Sequence, residues 1–322
     1  MSERLIRELE VPPALGGERA DRAAAQLFDE FSRAVLSRWI NEGALTVDGS
    51  TVKPRHRLLG GEVLRLDADL DAGEDWASAQ PVAFEVVHED EDVLVIHKPA
   101  GLVVHPGAGN ADGTLVNGLL AHRRELTRLP RAGIVHRLDK HTSGLMVVAA
   151  SLPAHAQLVR DLEARTVERR YLAITEGRMV GGRDIDAPIG RDAQVRTRQQ
   201  VRDDGKPAQT RVRVRARYRV HTLIEAALQT GRTHQIRVHL SSIGYPLVGD
   251  KRYGARGRLP PGADAVLIDC LQQFPRQALH AWRLAFTHPT SGEFLTFETE
   301  LPADMRLLRT RLEEDAETHG ES

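Results

Sequence analysis

Near the start of the chain, the pattern of apolar and polar residues predicts two short helices followed by a small hairpin. Apolar residues recur at helical spacing after Asp21, which we expect to cap the first helix, and again after Ser32, where the second helix is expected to open. The inward positions are Ala24, Leu27 and Phe28 in the first helix and Val35, Leu36, Trp39 and Ile40 in the second. Leu45–Val47 and Val63–Leu66 alternate as strands.

From Val82 onward the pattern predicts a mixture of α and β elements. Strands are predicted at Val86–Val87, Val93–Ile96, Leu145–Ala149 and Tyr171–Thr175, and a helix from Pro153 to about Arg165. Basic and apolar residues alternate from Arg211 to Arg219, which indicates a strand with one face in the core and an arginine face in solvent unless RNA lies along it. The fold class is therefore expected to be α+β.

Composition divides the chain into four parts. A small N-terminal domain is expected at 18–68, a linker rich in Asp, Ala, Gly and Ser at 69–81, the main domain at 82–310, and an acidic, disordered tail at 311–322.

The overall composition excludes several classes of protein. Of 322 residues, 41% are hydrophobic and 28% charged, which suits a globular core and not a disordered chain. The single cysteine, Cys270, cannot form an internal disulfide or a Cys-rich metal site. No apolar run has the length of a signal peptide or a membrane span. From both observations we expect a cytoplasmic protein. Residues 151–240 hold 18 basic and 10 acidic residues. This excess fits a polyanionic partner and equally fits a general abundance of solvated arginine.

Familiar cofactor and metal motifs are missing. The glycines at 107, 109 and 113 are spaced one residue too far apart for a dinucleotide loop, and no phosphate-binding loop occurs. His234 and His239 are five positions apart, which places them on different faces of a helix. We therefore expect neither a metal nor a cofactor.

The segment that carries the most chemistry is 133–145, a polar loop that leads into a buried strand. Asp139 is its only carboxylate. Loops at the ends of sheet strands commonly hold functional residues. From the loop alone, however, the favoured interpretation is that Asp139 caps a turn through Thr142 or Ser143 and pairs with Arg137.

A resemblance changes this balance. The run HRLDKHTSGL at 136–145 is similar to the signature of the RluA family of pseudouridine synthases, and further family motifs follow the same order along the chain: HKPAGLVVHPG at 97–107, RYLA at 170–173, TGRTHQIRVHL at 230–240 and QALHA at 277–281. The N-terminal runs 33–49 and 58–66 resemble the S-four-type RNA-binding domain, named for a small-subunit ribosomal protein.

The resemblance implies a catalytic fold with a mixed, mainly antiparallel sheet, flanking helices and a central cleft. It also implies isomerisation of an RNA uridine, in which the bond from ribose C1′ to N1 breaks and C5 joins C1′, with no cofactor or metal. By resemblance Asp139 is the essential carboxylate, Arg237 the cation that keeps it charged in a buried site, and Tyr171 the aromatic residue against an extruded base. Attack at C1′, addition to C6 and removal of the 2′ proton all remain open as the role of Asp139.

The resemblance also implies residues that contact RNA or support the pocket. They are His105, Arg137, Thr142, Arg232, His234, Gln235 and Leu279 near the catalytic motifs, and Arg33, Arg38, Lys53, Arg55 and Arg57 in the N-terminal domain. We expect Thr233 to cap the helix that carries Arg237.

Three further runs, 105–110, 130–139 and 246–250, resemble the subgroup that modifies uridines in one stem-loop of large-subunit ribosomal RNA, helix 69. The expected partner is therefore large-subunit rRNA or an assembling large subunit, bound by a monomer. The alternatives are the same chemistry on another rRNA or tRNA site, and a non-enzymatic RNA-binding ribosome-assembly factor. A glycoside hydrolase would need two catalytic carboxylates, and the motif holds one.

Overall fold

The computed structural model describes residues 3–28, 31, 33–70, 78–107, 110–192, 194–195, 198–254 and 257–320. The helices are α1 (Ala20–Leu27), α2 (Arg33–Glu42), α3 (Leu115–His122), α4 (Leu152–Glu163), α5 (Gln235–Ser242), α6 (Ala265–Gln272) and α7 (Ala303–Thr318). The strands are β1 (Glu3–Glu10), β2 (Leu45–Val47), β3 (Val63–Leu70), β4 (Glu85–Glu89), β5 (Val93–Lys98), β6 (Ser143–Ala149), β7 (Glu168–Glu176), β8 (Arg183–Asp186), β9 (Ile189–Arg191), β10 (Gln199–Val201), β11 (Gln209–Arg217), β12 (His221–Leu228), β13 (Leu279–Thr287) and β14 (Phe294–Glu298).

The N-terminal unit packs α1 and α2 against a small antiparallel sheet of order β1-β3-β2. Phe28, Leu36, Leu45 and Leu64 are fully buried between the helices and the sheet. The apolar stripes of both helices thus meet the inward-facing residues of the strands, as the hydrophobic pattern predicts.

The bounds predicted for this unit are wrong at both ends. β1 lies before residue 18 and pairs with the whole of β3, with Leu9 opposite Leu64. β3 continues to Leu70, into the segment expected to be linker. At the other end of that segment, the Asn117 side chain donates to the Ser78 carbonyl at 2.8 Å, so this part packs on α3, whereas residues 71–77 lie outside the described ranges.

Asp21 does not cap α1. The helix starts at Ala20, and the Asp21 carboxylate lies inside the first turn, where it accepts from the Arg19 guanidinium at 3.0 Å. A carboxylate in this position is favourable because it opposes the positive end of the helix dipole. Ser32, expected to open α2, lies outside the described residues.

Within the described ranges, the main unit is built on a nine-stranded sheet of order β4-β5-β6-β13-β7-β12-β11-β8, with β14 paired to β13. Among the described strands of this sheet, only β6 and β13 run parallel, and the other pairs are antiparallel. Every residue of the central strand β6 is buried. The α+β prediction with a mixed, mainly antiparallel sheet is confirmed.

Gly144 lets the polar loop 133–142 enter the sheet beside β13. Its φ is +119°, and a Cβ atom built there would lie 2.2 Å from the carbonyl oxygen of Ala281. Only glycine accepts this backbone and this close approach. Ala281 also pairs with Tyr171 on β7, so the three central strands bring the Asp139 loop and Tyr171 to one region.

The predicted disordered tail at 311–322 is wrong for residues 311–318, which form the second half of α7. Met305, Leu308, Leu312 and Ala316 lie on one buried side of this helix. The acidic composition concealed this apolar stripe, because most of the charges fall on the other faces of the helix. No helix among the described residues is both long and apolar enough to cross a membrane.

Candidate active site

Asp139 lies in the turn that leads into β6. Its backbone oxygen accepts from the amide of Thr142 at 3.0 Å. Thr142 is almost completely buried, and its hydroxyl accepts from the Gln277 amide at 3.2 Å, so it supports the loop and is not exposed to RNA. The Asp139 side chain keeps 18% of its surface exposed. The carboxylate is therefore held by a fixed turn and remains accessible to a ligand.

Arg237 connects Asp139 to a second, deeper carboxylate. Its Nη1 donates to Oδ2 of Asp139 at 2.9 Å, while its Nε and Nη2 donate to the two oxygens of Asp250 at 2.7 and 2.9 Å. Burial opposes the charge of Arg237, but the two carboxylates outweigh it and raise the pKa of the guanidinium. The site thus contains a permanent cation in contact with Asp139.

Asp250 is fully enclosed and remains ionised. Burial by itself would raise the pKa of Asp250, but the ion pair with Arg237 and hydrogen bonds from the amides of Arg252 and Tyr253 outweigh burial and lower it. The bidentate contact fixes the plane of the Arg237 guanidinium and directs its remaining nitrogen at Asp139.

The helix that carries Arg237 does not begin as predicted. Its N-cap residue is His234, and Thr233 makes no capping contact. His234 adopts the left-handed conformation with φ of 58°, and its Nε2 lies 3.9 Å from Oδ1 of Asp139. The unusual backbone turns the imidazole towards the carboxylate. Strained backbone of this kind is frequent at functional sites.

Tyr171 lies on β7 and is 5% exposed. Burial, reinforced by the charge of Asp139 and opposed by Arg169, raises the pKa of its phenol to about 12. The hydroxyl is therefore protonated at neutral pH in the free protein. Leu279 and Ala281, on the neighbouring strand, share its face of the sheet and its apolar cluster.

Lys98 is a buried group near the site that sequence motifs alone did not single out. It is completely buried, and its Nζ donates to the carbonyl oxygens of Pro99, Leu102 and Lys140 at 2.8, 2.9 and 3.1 Å. Burial, opposed by Asp139, lowers the pKa of Lys98 to about 7. Because Lys140 follows Asp139 directly, these bonds fix the loop that holds Asp139.

The other predicted pocket residues divide into exposed and buried groups. Arg137 and Arg232 are exposed, and His105 is half-buried, with its pKa lowered to about 4 by burial and by nearby arginines. Gln235 is buried, and its side-chain amide forms hydrogen bonds with Thr230, with Arg232 and with the first two residues of β11. It therefore supports the loop before α5 and has no free group for RNA.

In the N-terminal unit, Lys53, Arg55 and Arg57 are exposed on the connection between β2 and β3. Arg57 also donates to the Gly17 carbonyl at 2.6 Å. Arg38 forms an ion pair with Glu42 at 3.7 Å. The side chain of Arg33 lies outside the described part of the structure.

Sequence reasoning missed Lys98, Asp250 and Tyr253 as members of the site. Lys98 and Asp250 belong to the runs 97–107 and 246–250, but residue types alone do not show what these side chains contact. Across the described ranges, no group of three or more His, Cys, Asp or Glu side chains is placed to hold a metal ion.

Comparisons with known proteins show which chains this sequence is similar to. The RNA pseudouridylate synthase family matches residues 92–242. The chain is 52% identical over 317 residues to ribosomal large subunit pseudouridine synthase D of Pseudomonas aeruginosa, which covers 98% of this chain and 99% of the relative. It is 50% identical over 311 residues to the protein of the same name from Xanthomonas campestris, with 97% and 94% covered.

Among solved structures, human RNA pseudouridylate synthase domain containing 4 is similar, with a TM-score of 0.56 and 26% identity. The match covers 71% of this chain and 93% of that protein.

Proposed function

This chain belongs to the family of RNA pseudouridine synthases, and from this premise we propose that it converts uridines of large-subunit ribosomal RNA to pseudouridine, with Asp139 as the essential carboxylate. It is an isomerase. The observation that carries the residue assignment is the partly exposed Asp139 carboxylate, held at 2.9 Å by the permanently charged Arg237.

The reaction needs an ionised carboxylate next to the sugar of the target nucleotide. Arg237 binds Oδ2 of Asp139, which leaves Oδ1 as the oxygen directed to the substrate. Attack at C1′, addition to C6 and removal of the 2′ proton each require this charged oxygen in nearly the same position. Arg237 places a permanent positive charge against Asp139 on any of these routes.

The target uridine must leave the RNA stack to reach Asp139, at a cost of a few kcal/mol. Tyr171 and Leu279 offer an aromatic and an aliphatic surface on the same sheet face, which would offset this cost by packing against the base. As a protonated phenol, Tyr171 would also donate a hydrogen bond.

We further propose that the targets lie in the helix 69 stem-loop and that the N-terminal unit is an S-four-type RNA-binding domain. The names and near-complete coverage of the bacterial relatives support large-subunit RNA as the substrate, and the resemblance of the runs 105–110, 130–139 and 246–250 supports helix 69 within it. The exposed cations Lys53, Arg55 and Arg57 support the second, since phosphate contacts position a protein on RNA. The partner would be rRNA or an assembling large subunit in the cytoplasm.

A mapping experiment tests this proposal. Unmodified large-subunit rRNA is incubated with purified protein, treated with a carbodiimide that marks pseudouridine, and read by reverse transcription. New stops confined to helix 69 are expected with wild type and with Asp269→Asn, an exposed control on α6, but not with Asp139→Asn. Stops at other positions would refute the target, and equal stops with Asp139→Asn would refute the role of this residue. RNA binding without any stop would indicate a non-enzymatic factor.

A further inference from the structure

The ring of Tyr253 packs against two residues of the site, His234 and Arg237. The His234 ring meets it edge to face at 5.5 Å between centroids, and Cζ of Arg237 lies 5.0 Å from the ring centroid. Tyr253 is 5% exposed and follows Asp250 in the loop after α5. It is therefore enclosed by the site without reaching solvent itself.

The hydroxyl of Tyr253 makes two hydrogen bonds that fix the direction of its proton. It accepts from the backbone amide of Gln199 at 2.9 Å, and it lies 2.7 Å from Nδ1 of His234. A phenol has one proton to donate. Nδ1 of His234 is the acceptor in reach among the described residues, so the hydroxyl donates to Nδ1.

This donation determines the tautomer of His234. A neutral imidazole has one protonated and one unprotonated nitrogen. Burial, opposed by Asp139, lowers the pKa of His234, which keeps the ring neutral near pH 7. With Nδ1 accepting from Tyr253, the proton of the ring must be on Nε2.

The protonated nitrogen faces the reactive side of Asp139. Nε2 lies 3.9 Å from Oδ1, whereas Arg237 occupies Oδ2 at 2.9 Å. The distance to Oδ1 is too long for a hydrogen bond, but a shift of about 1 Å would form one, and such bonds often tighten only when substrate is bound. The opposite tautomer would direct a lone pair at the carboxylate and repel it.

We propose that Tyr253 is a positioning residue for the reaction: by donating to Nδ1, it holds His234 in the tautomer whose Nε2–H faces Oδ1 of Asp139. His234 then orients the carboxylate oxygen that Arg237 leaves free. The kinetic part of this inference rests on the proposed function, because it assumes that Asp139 acts on RNA.

The tautomer can be measured without any RNA. Protein labelled with 15N histidine is examined by long-range proton–nitrogen correlation at pH 7, and His234 is assigned by the signals lost in His234→Gln. We expect the pattern of a neutral ring protonated on Nε2, and a changed pattern in Tyr253→Phe. A ring protonated on Nδ1, or on both nitrogens, would overturn the proposal.

Kinetics test the consequence. Tyr253→Phe removes one hydroxyl and should lower kcat about tenfold with little change in KM for RNA, since a factor of ten corresponds to about 1.4 kcal/mol, the scale of one hydrogen bond. Tyr218→Phe is the matched control, because it removes a buried hydroxyl that has no hydrogen-bond partner among the described residues and lies in a different apolar cluster. Wild-type kcat in Tyr253→Phe would overturn the proposal.

A second pair of variants separates hydrogen bonding from packing. His234→Gln retains an N–H near the position of Nε2, whereas His234→Phe retains a ring without a donor, so Gln should retain more of kcat than Phe. Equal activity in the two variants would overturn the role of the Nε2–H group. If wild type modifies no RNA, the proposed function fails, while the histidine spectrum still decides the tautomer.

Discussion

Asp250→Asn perturbs the charge that holds Arg237, without changing the shape of the side chain. Asp250 is 1% exposed in its side chain and makes both strong contacts to the guanidinium, at 2.7 and 2.9 Å. Two unit charges about 4 Å apart attract by about 4 kcal/mol at an effective dielectric constant of about 20. Loss of one partner from a buried ion pair typically costs about 3–5 kcal/mol.

The cost here should lie at the lower end of that range. Arg237 keeps its contact with Asp139, and the amide oxygen of Asn can still accept from backbone amides that now bind Oδ1 of Asp250. We therefore expect a loss of about 3 kcal/mol, which lowers Tm by roughly 6–12 °C for a unit of this size. Activity should also fall, because the guanidinium is no longer directed at Asp139.

The matched control is Asp315→Asn. Asp315 forms another well-covered ion pair, with Arg219 at 3.0 Å, but it lies on α7, in a different part of the main unit. Calorimetry or thermal circular dichroism should show that both variants lose stability, whereas initial rates on rRNA should fall only in Asp250→Asn. Unchanged kcat in Asp250→Asn, or an equal fall in both variants, would refute the reasoning.

Further predictions concern buried elements. The pKa of Lys98, about 7, lies below its ordinary 10.5, so between these pH values the unfolded chain binds more protons than the folded chain. The stability of the wild type relative to Lys98→Met should therefore rise with pH, by up to about 1.4 kcal/mol per pH unit from pH 7 to 9. Urea titrations measure this rise. The exposed Lys206→Met should show no such rise. Gly144→Ala should lower the free energy of unfolding by about 2–6 kcal/mol, because it adds backbone strain and overpacking. Chemical denaturation measures this loss, and a loss under 1 kcal/mol would contradict the geometry at this position. Leu312→Ala should cost about 2–5 kcal/mol and the exposed Leu307→Ala almost nothing, and equal effects would mean that α7 is not docked.

Local patterns predicted the elements whose apolar residues repeat regularly. The strand β6 and the helices α1 and α2 follow directly from such patterns. β1 was missed because charged residues interrupt its apolar positions, and it is stabilised by pairing with β3, more than fifty residues away. α7 was missed because its acidic composition suggested disorder. In both cases, contacts distant in sequence decide the structure, and no local window contains them.

The candidate site shows the same limit. The resemblance implied that Arg237 accompanies Asp139, and the structure has the two side chains in contact. The resemblance did not predict that Asp250 binds Arg237 or that the Tyr253 hydroxyl binds His234, because a motif contains residue types and not their hydrogen bonds. Thr233 was expected to cap α5 from its residue type, but the left-handed backbone of His234 replaces a side-chain cap.

Release of tritium from C5 of uridine tests the central claim most directly, because joining C5 to C1′ must expel the hydrogen at C5. Large-subunit rRNA labelled with tritium at this position is incubated with wild-type protein, with Asp139→Asn and with the control Asp269→Asn. We predict release by wild type and by Asp269→Asn, and none by Asp139→Asn despite unchanged RNA binding. Tight binding by wild type without release, or equal release by Asp139→Asn, would contradict the account.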